Sequence, residues 1–311
     1  MTTNSHTCRF WSRENGEAYL FLSPWFTGFF LFLAFPIGYS LYLSLCRWDL
    51  ISPSPLYVGF QNYHHMLTED PRFWLSLKVT GLYALGSVPL CIIVALLLAL
   101  LLNGKFRGIG LFRTIYYLPA VVSGVAVAVL WVGLLNPDFG MINQALRILF
   151  GWFNLPEESL PKWLFSQKWA LPGLILMSLW GVGPGALVFL AGLQSIPQEP
   201  HEAAMIDGAG AGRRFLHITL PLLTPMILFN LIIGIIGSLQ VFTQGYVMTG
   251  GGPRDATLFF VLYIWQKAFL DFQAGYASAL AWVLFCVILV LTLAVLRSSR
   301  MWVHYGGEDN G

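Results

Sequence analysis

Charged residues are scarce in this chain of 311 residues. Asp, Glu, Lys and Arg together make up 10% of the sequence, hydrophobic residues make up 57%, and the mean hydropathy is +0.68. Because a soluble domain carries about 25% charged residues, the composition excludes a chain whose whole surface faces water. The apolar residues also come in blocks that reach the roughly 20 residues a helix needs to cross a bilayer. We therefore expect a polytopic, all-α membrane protein.

Motifs for covalent, metal or nucleotide chemistry are missing as well. The glycine runs at 208–212 and 250–252 lack the preceding strand and the following Lys-Ser/Thr of a phosphate-binding loop. The histidines lack the spacing of metal ligands. A net charge of +2 without a basic cluster gives no indication of nucleic-acid binding. The sequence therefore predicts no ATP site, no metal, no cofactor and no catalytic residue.

The cysteines show no disulfide or metal-site spacing either. Two of them lie inside apolar blocks, where we expect buried, inert thiols. The four residues are Cys8, Cys46, Cys91 and Cys286.

Six apolar segments are long enough to be membrane spans. They leave a tail at residues 1–18, a membrane domain at 19–300 and a second tail at 301–311. We expect prolines to interrupt the first span, a short helix at 141–150, and a break in the fourth span at the GVGPG sequence, 181–185. The predicted spans are 19–46, 75–103, 112–135, 169–193, 222–247 and 272–296.

The distribution of basic residues predicts the orientation. The loop at 103–111 contains Lys105 and Arg107 but no acidic residue, and Arg297 and Arg300 follow the last span. By the positive-inside rule, this loop, the 194–221 loop and both termini are cytoplasmic. The total count of Lys and Arg separates the sides poorly, with nine inside and eight outside, so the orientation depends on these particular segments.

The polar 194–221 loop has the features of a helical hairpin. Pro197 and Pro200 suit the first turn of a helix, the following residues are good helix formers, and Gly208 stands where a helix would stop. A second short helix is expected from Arg213 to Leu220. By these features alone, the hairpin is either a docking surface or an ordinary surface connection between spans.

Small and charged side chains favour the interpretation of the hairpin as a docking surface. Ala203 and Ala204 would let a partner approach the helix backbone closely. Asp207 stands at the helix C-terminus, where a negative charge opposes the helix dipole, so we expect Arg213 or Arg214 to compensate it.

The spacing within this loop resembles a known motif. Glu202-Ala203-Ala204, Gly208 and the Ile-Thr-Leu-Pro sequence at 218–221 match the E-A-A-x3-G-x9-I-x-L-P loop of ABC importer permeases. Segments 113–119 (RTIYYLP), 193–197 (LQSIP) and 246–253 (YVMTGGGP) resemble the carbohydrate-type members, which include maltose, lactose and glycerol-3-phosphate importers. Pro200 departs from the pattern, because a bulkier apolar residue is expected there.

The resemblance implies a type I ABC importer permease fold of about six spans with a cytoplasmic coupling hairpin, in a bacterial-type plasma (inner) membrane. It implies a transport subunit rather than an enzyme, surrounded by membrane lipid. The implied partners are a dimeric ABC ATPase, a second homologous permease and an extracytoplasmic solute-binding protein on loops 47–74, 136–168 and 248–272. The residues expected to dock the ATPase are Glu202, Ala203, Ala204, Asp207, Gly208, Arg213 and Arg214.

The spans contain neutral polar and aromatic residues but almost no ionisable ones. An ion-coupled secondary carrier or a membrane enzyme would need ionisable groups at depth, whereas neutral groups beside aromatic rings suit a polyhydroxylated solute. We therefore predict a sugar importer, with a glycerol-3-phosphate-type permease and a secondary carrier as alternatives. The same residues could instead serve helix–helix packing. The candidate pathway residues are Tyr117, Ser123, Trp180, Gly183, Asn230, Gln240, Phe242 and Gln244.

Overall fold

The computed structural model describes residues 13–104, 107–153, 156 and 160–304, most of which are helical. Residues 1–12 of the predicted N-terminal tail, Lys105 of the basic loop and residues 305–311 of the predicted C-terminal tail lie outside the described residues. The first seven helices are α1 (13–44, with a π-helical turn at Phe30–Ala34), α2 (Gln61–Thr68), α3 (Pro71–Leu102), α4 (Ile109–Val121), α5 (Gly124–Leu134), α6 (Met141–Trp152) and α7 (Ala170–Gly181). The others are α8 (Gly183–Ser195), α9 (Glu199–Ile206), α10 (Ala211–Leu222), α11 (Thr224–Leu239), α12 (Phe260–Leu270) and α13 (Ala274–Ser299).

A small antiparallel ribbon follows α1. Strand β1 (Cys46–Arg47) pairs with β2 (Leu56–Tyr57) in the loop that leads to α2. Other short elements are a 3-10 turn at Trp163–Phe165 and a π-helical turn at Gly245–Thr249.

Up to six spans are present among the described residues. Helix α3, helix α13 and the Tyr19–Ser44 part of α1 are each long and apolar enough to cross a membrane alone. The other three candidates are pairs of consecutive helices, bent by 100° between α4 and α5, by 48° between α7 and α8, and by 62° between α10 and α11. The all-α membrane fold is therefore as the sequence predicted, but half of the spans are broken.

The breaks account for most differences from the predicted segments. The third segment, predicted to be continuous over 112–135, is two helices because Val122 and Ser123 leave the helical conformation, with ψ of 141° and 131°. The fifth segment ends as a helix at Leu239 rather than at residue 247. Pro24 and Pro36, which were expected to interrupt the first span, do not break it: Tyr19–Ser44 is one helix with a π-helical turn at Phe30–Ala34 between the two prolines. The 248–272 loop contains the unpredicted helix α12.

The central helix α3 joins two hydrophobic clusters at opposite ends of the bundle. The larger cluster combines its N-terminal half with residues of the 47–74, 136–168 and 248–272 loops, such as Met66, Leu164 and Phe259. The smaller cluster combines its C-terminal half with α8 and α11, through residues such as Leu98 and Phe189. The 103–111 loop and the hairpin therefore lie at one end, and the three loops predicted to be extracytoplasmic lie at the other.

Asp70 joins three helices at that other end. Its carboxylate accepts hydrogen bonds from the backbone N–H groups of Arg72 (3.0 Å) and Phe73 (3.3 Å), and so caps α3. It also accepts hydrogen bonds from the hydroxyls of Tyr263 on α12 and Tyr276 on α13. One side chain thus fixes the relative positions of α3, α12 and α13.

Charged groups surround this cluster. Arg72 forms a bidentate contact with Asp255, at 2.8 and 3.1 Å. The Nζ atom of Lys267 lies 5.6 Å and 5.9 Å from the ring centroids of Tyr263 and Tyr276 and 2.9 Å from Asp271. These contacts tie the 248–272 loop to the start of α3.

The hydrogen bonds also shift the titration of Asp70. Burial alone would raise the pKa of Asp70, but the tyrosine hydroxyls and the backbone N–H groups outweigh it and lower the pKa below its usual value. A carboxyl group with a lowered pKa in the folded state stabilises the fold above its unfolded pKa of about 3.9. That contribution is lost as the pH falls through the lower, folded-state value.

We expect Asp70→Asn to destabilise the protein at neutral pH by about 1–3 kcal/mol, because two partly buried hydroxyls and a helix terminus lose a charged acceptor. Tryptophan fluorescence of the purified protein during heating gives the Tm. Asp138→Asn, at an exposed loop position, is the control and should leave the Tm unchanged. The difference between wild type and Asp70→Asn should shrink below about pH 4. Equal Tm values at pH 7 would contradict this role.

Candidate functional site

The hairpin, defined here as residues 199–222, consists of α9, a tight turn and α10. Pro200 lies in the first turn of α9, where its missing N–H group costs nothing. At the other end, the N–H groups of Gly208 and Ala209 donate to the carbonyls of Met205 (3.1 Å) and Ala204 (2.9 Å), which is a Schellman motif. The motif requires a left-handed residue after the cap, and Gly208 provides it with φ of +76°.

The hairpin presents both small and large apolar groups to its surroundings. Among the predicted docking residues, Ala204 and Arg214 are half-buried, and the remainder are exposed: Glu202, Ala203, Asp207, Gly208 and Arg213. Next to them Ile206 is 87% exposed and Met205 is 51% exposed, outside the apolar spans. Exposed apolar side chains clustered at a polar surface mark an interaction site.

Met205 and Ile206 were not among the docking residues predicted from the sequence. The available signal was a pair of large apolar residues at the end of an otherwise polar or small-residue helix. Such a pair cannot face a core when the helix has no neighbour on that side.

The expected compensation of Asp207 is absent in the described structure. Asp207 makes no ion pair with Arg213 or Arg214 there, because an exposed carboxylate is solvated and a surface ion pair adds only about 0–1 kcal/mol. The Nε atom of Arg214 is instead buried without a hydrogen-bond partner among the described residues.

A cavity of about 460 Å³ lies inside the membrane domain, which we call the central cavity. It is bounded by α3, by the break between α4 and α5, by the break between α7 and α8, and by α11. Backbone groups freed at a helix break are tolerated at membrane depth only where protein or a water-filled cavity surrounds them. Two of the three bends thus open onto one shared space.

No described residue that lines the central cavity is charged. Its polar side chains include Ser87, Ser178, Asn230 and Gln244. The amide of Asn230 donates to the carbonyl of Met226 at 2.9 Å, which leaves its oxygen as an acceptor. Such a surface offers hydrogen bonds without fixed charge.

The structure separates the predicted pathway residues into two groups. Trp180, Asn230 and Gln244 line the central cavity, and Ser123 and Gly183 each stand between two lining residues at a helix break. The remaining three do not line it. Tyr117 is exposed on α4, Gln240 is exposed at the end of α11, and Phe242 stacks on Tyr246 with ring centroids 5.4 Å apart.

Helix α3 contributes lining residues that sequence reasoning missed. Tyr83, Ser87 and Cys91 follow each other at intervals of four, so they share one face of the helix. The Sγ atom of Cys91 lies 3.4 Å from Oγ of Ser178, which also lines the cavity. This stripe of polar residues in an apolar span was the sequence signal that could have indicated the lining residues.

The cysteines differ from the expectation. Cys91 is half-buried at the cavity and Cys286 is exposed, whereas we expected both to be buried. Cys46 is buried, and Cys8 lies outside the described residues.

Comparison with known proteins identifies the arrangement. A family model described as the binding-protein-dependent transport system inner membrane component matches residues 87–302. This chain belongs to that family. It is the membrane permease subunit of a binding-protein-dependent importer, a transport subunit rather than an enzyme, and a multi-pass inner-membrane protein.

Relatives of this permease are similar over almost their whole length. The probable ABC transporter permease protein YesP of Bacillus subtilis (strain 168) is 41% identical over 300 residues, which cover 96% of this chain and 94% of that protein. The trehalose/maltose transport system permease protein MalF of Thermococcus litoralis is 35% identical over 298 residues, covering 96% and 98%. The resemblance to carbohydrate ABC importer permeases is confirmed.

A solved structure shares the permease fold. A chain of a bacterial ABC transporter involved in the import of the acidic polysaccharide alginate is 25% identical, with a TM-score of 0.75, and the match covers 93% of this chain and 96% of that one. The type I importer fold expected from the sequence is thereby confirmed.

We expect Gly183→Ala to destabilise the permease by about 1–3 kcal/mol. A Cβ at this position would lie 2.3 Å from the carbonyl oxygen of Tyr116, so α8 would have to move away from α4. Gly181→Ala is a matched control two residues away, because a Cβ there has open space. The Tm values of the two purified variants provide the test, and equal values would show that the contact between α4 and α8 does not require glycine.

Proposed function

We propose that this permease forms the translocation path for a neutral sugar, through the central cavity. The observation that carries the proposal is a cavity at two helix breaks whose described lining includes hydroxyl and amide side chains but no charged one. Its volume lies within the range of about 300–1,000 Å³ found for small-molecule sites. Hydroxyls and amides such as those of Ser87, Asn230 and Gln244 can both donate and accept hydrogen bonds, as a polyhydroxylated solute does.

The names of relatives support a carbohydrate cargo. They include a trehalose/maltose permease of Thermococcus litoralis, a lactose permease of Rhizobium radiobacter and a sulfoquinovosyl glycerol permease of Agrobacterium fabrum. The solved relative imports an acidic polysaccharide, so the fold is compatible with anionic cargo too. The cavity favours a neutral one.

The charge of the central cavity bears on the two alternatives, a glycerol-3-phosphate-type permease and an ion-coupled secondary carrier. A glycerol-3-phosphate permease would be expected to place a cation near the phosphate, and none of the described lining residues is basic. A proton- or sodium-coupled carrier would be expected to place carboxylates at depth, and none lines this cavity within the described part of the chain. Both alternatives therefore fit less well than a neutral sugar.

We propose that the hairpin couples the cavity to ATP hydrolysis in a separate, dimeric ATPase. Ile206, Met205 and the small residues of α9 would enter an apolar groove of that partner. A rigid hairpin would transmit closure of the ATPase to the spans as a rigid-body motion. Because coupling is reciprocal, solute delivery would also bias the ATPase.

Two further partners complete the proposal. The first span, Tyr19–Ser44, buries no residue of its most apolar stretch, which leaves a large face for a second, homologous permease and for lipid. An extracytoplasmic binding protein would dock on the 47–74, 136–168 and 248–272 loops. Both termini and the hairpin would then be cytoplasmic, with the Asp70 cluster on the outer side.

Reconstitution tests this function directly. Proteoliposomes that contain the permease with its sister permease, ATPase and binding protein should accumulate labelled trehalose, maltose or lactose only when ATP is supplied on the ATPase side. Uptake of a sugar by the permease alone, or uptake driven by an ion gradient without ATP, would overturn the proposal.

We predict that Ile206→Asp weakens ATPase binding roughly 30-fold, because an unpaired charge at the centre of an interface costs about 2 kcal/mol or more. Co-purification of the ATPase with tagged permease measures the loss. Ile51→Asp is the control, since Ile51 is 79% exposed in the 47–74 loop at the other end of the bundle. Normal ATPase retention by Ile206→Asp would remove the hairpin tip from the docking surface.

We also predict that Gln244→Ala raises the KM for sugar uptake about tenfold, through loss of a hydrogen bond to the solute, without changing assembly. Gln240→Ala offers a close comparison, because Gln240 is exposed and does not line the cavity. An effect confined to Gln244 would support the central cavity as the path. The opposite pattern would place the path along the end of α11 instead.

A further inference from the structure

A second cavity, of about 790 Å³, lies at the hairpin end of the bundle. We call it the basal cavity. It is enclosed by the end of α3, the start of α4, the end of α8 and the start of α9. Its polar lining side chains are Asn103, Arg107, Arg113, Gln194, Gln198 and His201.

The basal cavity differs from the central cavity in its charge. Two guanidinium groups line it, and no described lining residue is acidic. The nearest carboxylate in sequence, that of Glu199, belongs to α9 but does not line the space. The amides of Asn and Gln provide further donors. The cavity is therefore electropositive and has many donors.

Arg113 is only partly satisfied within the described structure. Its Nη2 atom donates to the carbonyl of Leu102 at 3.1 Å and so caps the C-terminus of α3. Its Nε atom is buried and has no hydrogen-bond partner. A buried unpaired donor on a charged group costs free energy, and the same guanidinium group lines the cavity.

The start of α4 adds to the positive potential. Ile109, the first residue of this 13-residue helix, lines the cavity, and Gly108 at the N-cap supplies no side-chain acceptor. The first N–H groups of a helix lack internal partners and carry the positive end of the dipole. Together with Arg107 and Arg113, this helix end is the arrangement that binds phosphate groups.

We propose that the basal cavity binds a phosphate-bearing anion, held by Arg107 and Arg113 at the N-terminus of α4. The anion is either the headgroup of an anionic phospholipid or a small phosphorylated solute. Basic pockets between helices at the cytoplasmic surface are suited to phospholipid headgroups, and this lipid source rests on the proposed orientation of the hairpin. His201 of the hairpin and Gln198, immediately before it, also line the cavity, so an occupant touches the proposed coupling element itself.

The site has a consequence for transport. An anion that bridges the α3–α4 connection and the start of α9 would hold the hairpin in one position relative to the spans. A ligand shifts an equilibrium by its difference in affinity for the two states. Occupancy of the basal cavity would therefore bias transport without entering the sugar path.

Binding to the purified permease complex in zwitterionic detergent tests the site. The probes are short-chain phosphatidylglycerol, with short-chain phosphatidylcholine for comparison, and inorganic phosphate. Arg107→Gln should weaken binding about tenfold or more, and Arg113→Gln should do the same. Arg107 is exposed, so its variant preserves the test if Arg113→Gln fails to fold. Arg300→Gln is the control, because it removes the same charge after α13, away from the cavity.

The outcomes separate the sources of the anion. Loss of phosphatidylglycerol binding in Arg107→Gln but not in Arg300→Gln supports a lipid headgroup, and the same pattern with inorganic phosphate supports a free solute. An equal loss of probe binding in Arg107→Gln and Arg300→Gln would overturn the site. No binding of either probe to the wild-type permease would overturn it too. Weaker ATPase retention in Arg107→Gln with unchanged affinity for both probes would also overturn it, because a protein group would then fill the cavity. None of these results depends on whether a sugar is transported.

Discussion

The hydrogen-bonding needs of the backbone at membrane depth govern the architecture of this permease. Three of its candidate spans are bent, by 48° to 100°, and each bend frees peptide groups that lipid cannot satisfy. The bends between α4 and α5 and between α7 and α8 both open onto the central cavity. A polar space within the bundle thus follows from the breaks, and a sugar is a solute that can replace water in such a space at little cost.

The two ends of the bundle are built differently. At one end, Asp70 and its tyrosines bind α3, α12 and α13 into a unit, and the surrounding loops share the larger hydrophobic cluster. At the other end, the hairpin presents Ile206 to its surroundings and the basal cavity is lined by two guanidinium groups. One end is therefore held together by internal contacts, whereas the other exposes apolar and charged groups. This asymmetry suits a machine that receives force at one end and moves as a rigid body.

Much of this could be predicted from residue order. The six apolar segments, the break at 181–185, the helix near 141–150 and the end of the first hairpin helix at Gly208 all depend on local composition and on the conformational preferences of glycine and proline. Prediction failed where no local signal opposed a continuous helix. Val122 and Ser123 are ordinary residues for an apolar span, yet the chain turns by 100° there. Likewise, α12 lies in a segment whose glycines and charges looked like a loop.

The sequence by itself determined the membrane class, the number of apolar segments and the hairpin, because hydropathy, turn residues and motif spacing act over a few residues at a time. Only the tertiary structure decided which polar groups share the central cavity, so that Cys91 and Gln244 meet there while Gln240 and Phe242 do not. It also placed Arg113 beside the start of the hairpin. The reason is physical. The direction in which a side chain points within the membrane depends on how the helices pack and bend against each other. These contacts join residues that are far apart in the chain.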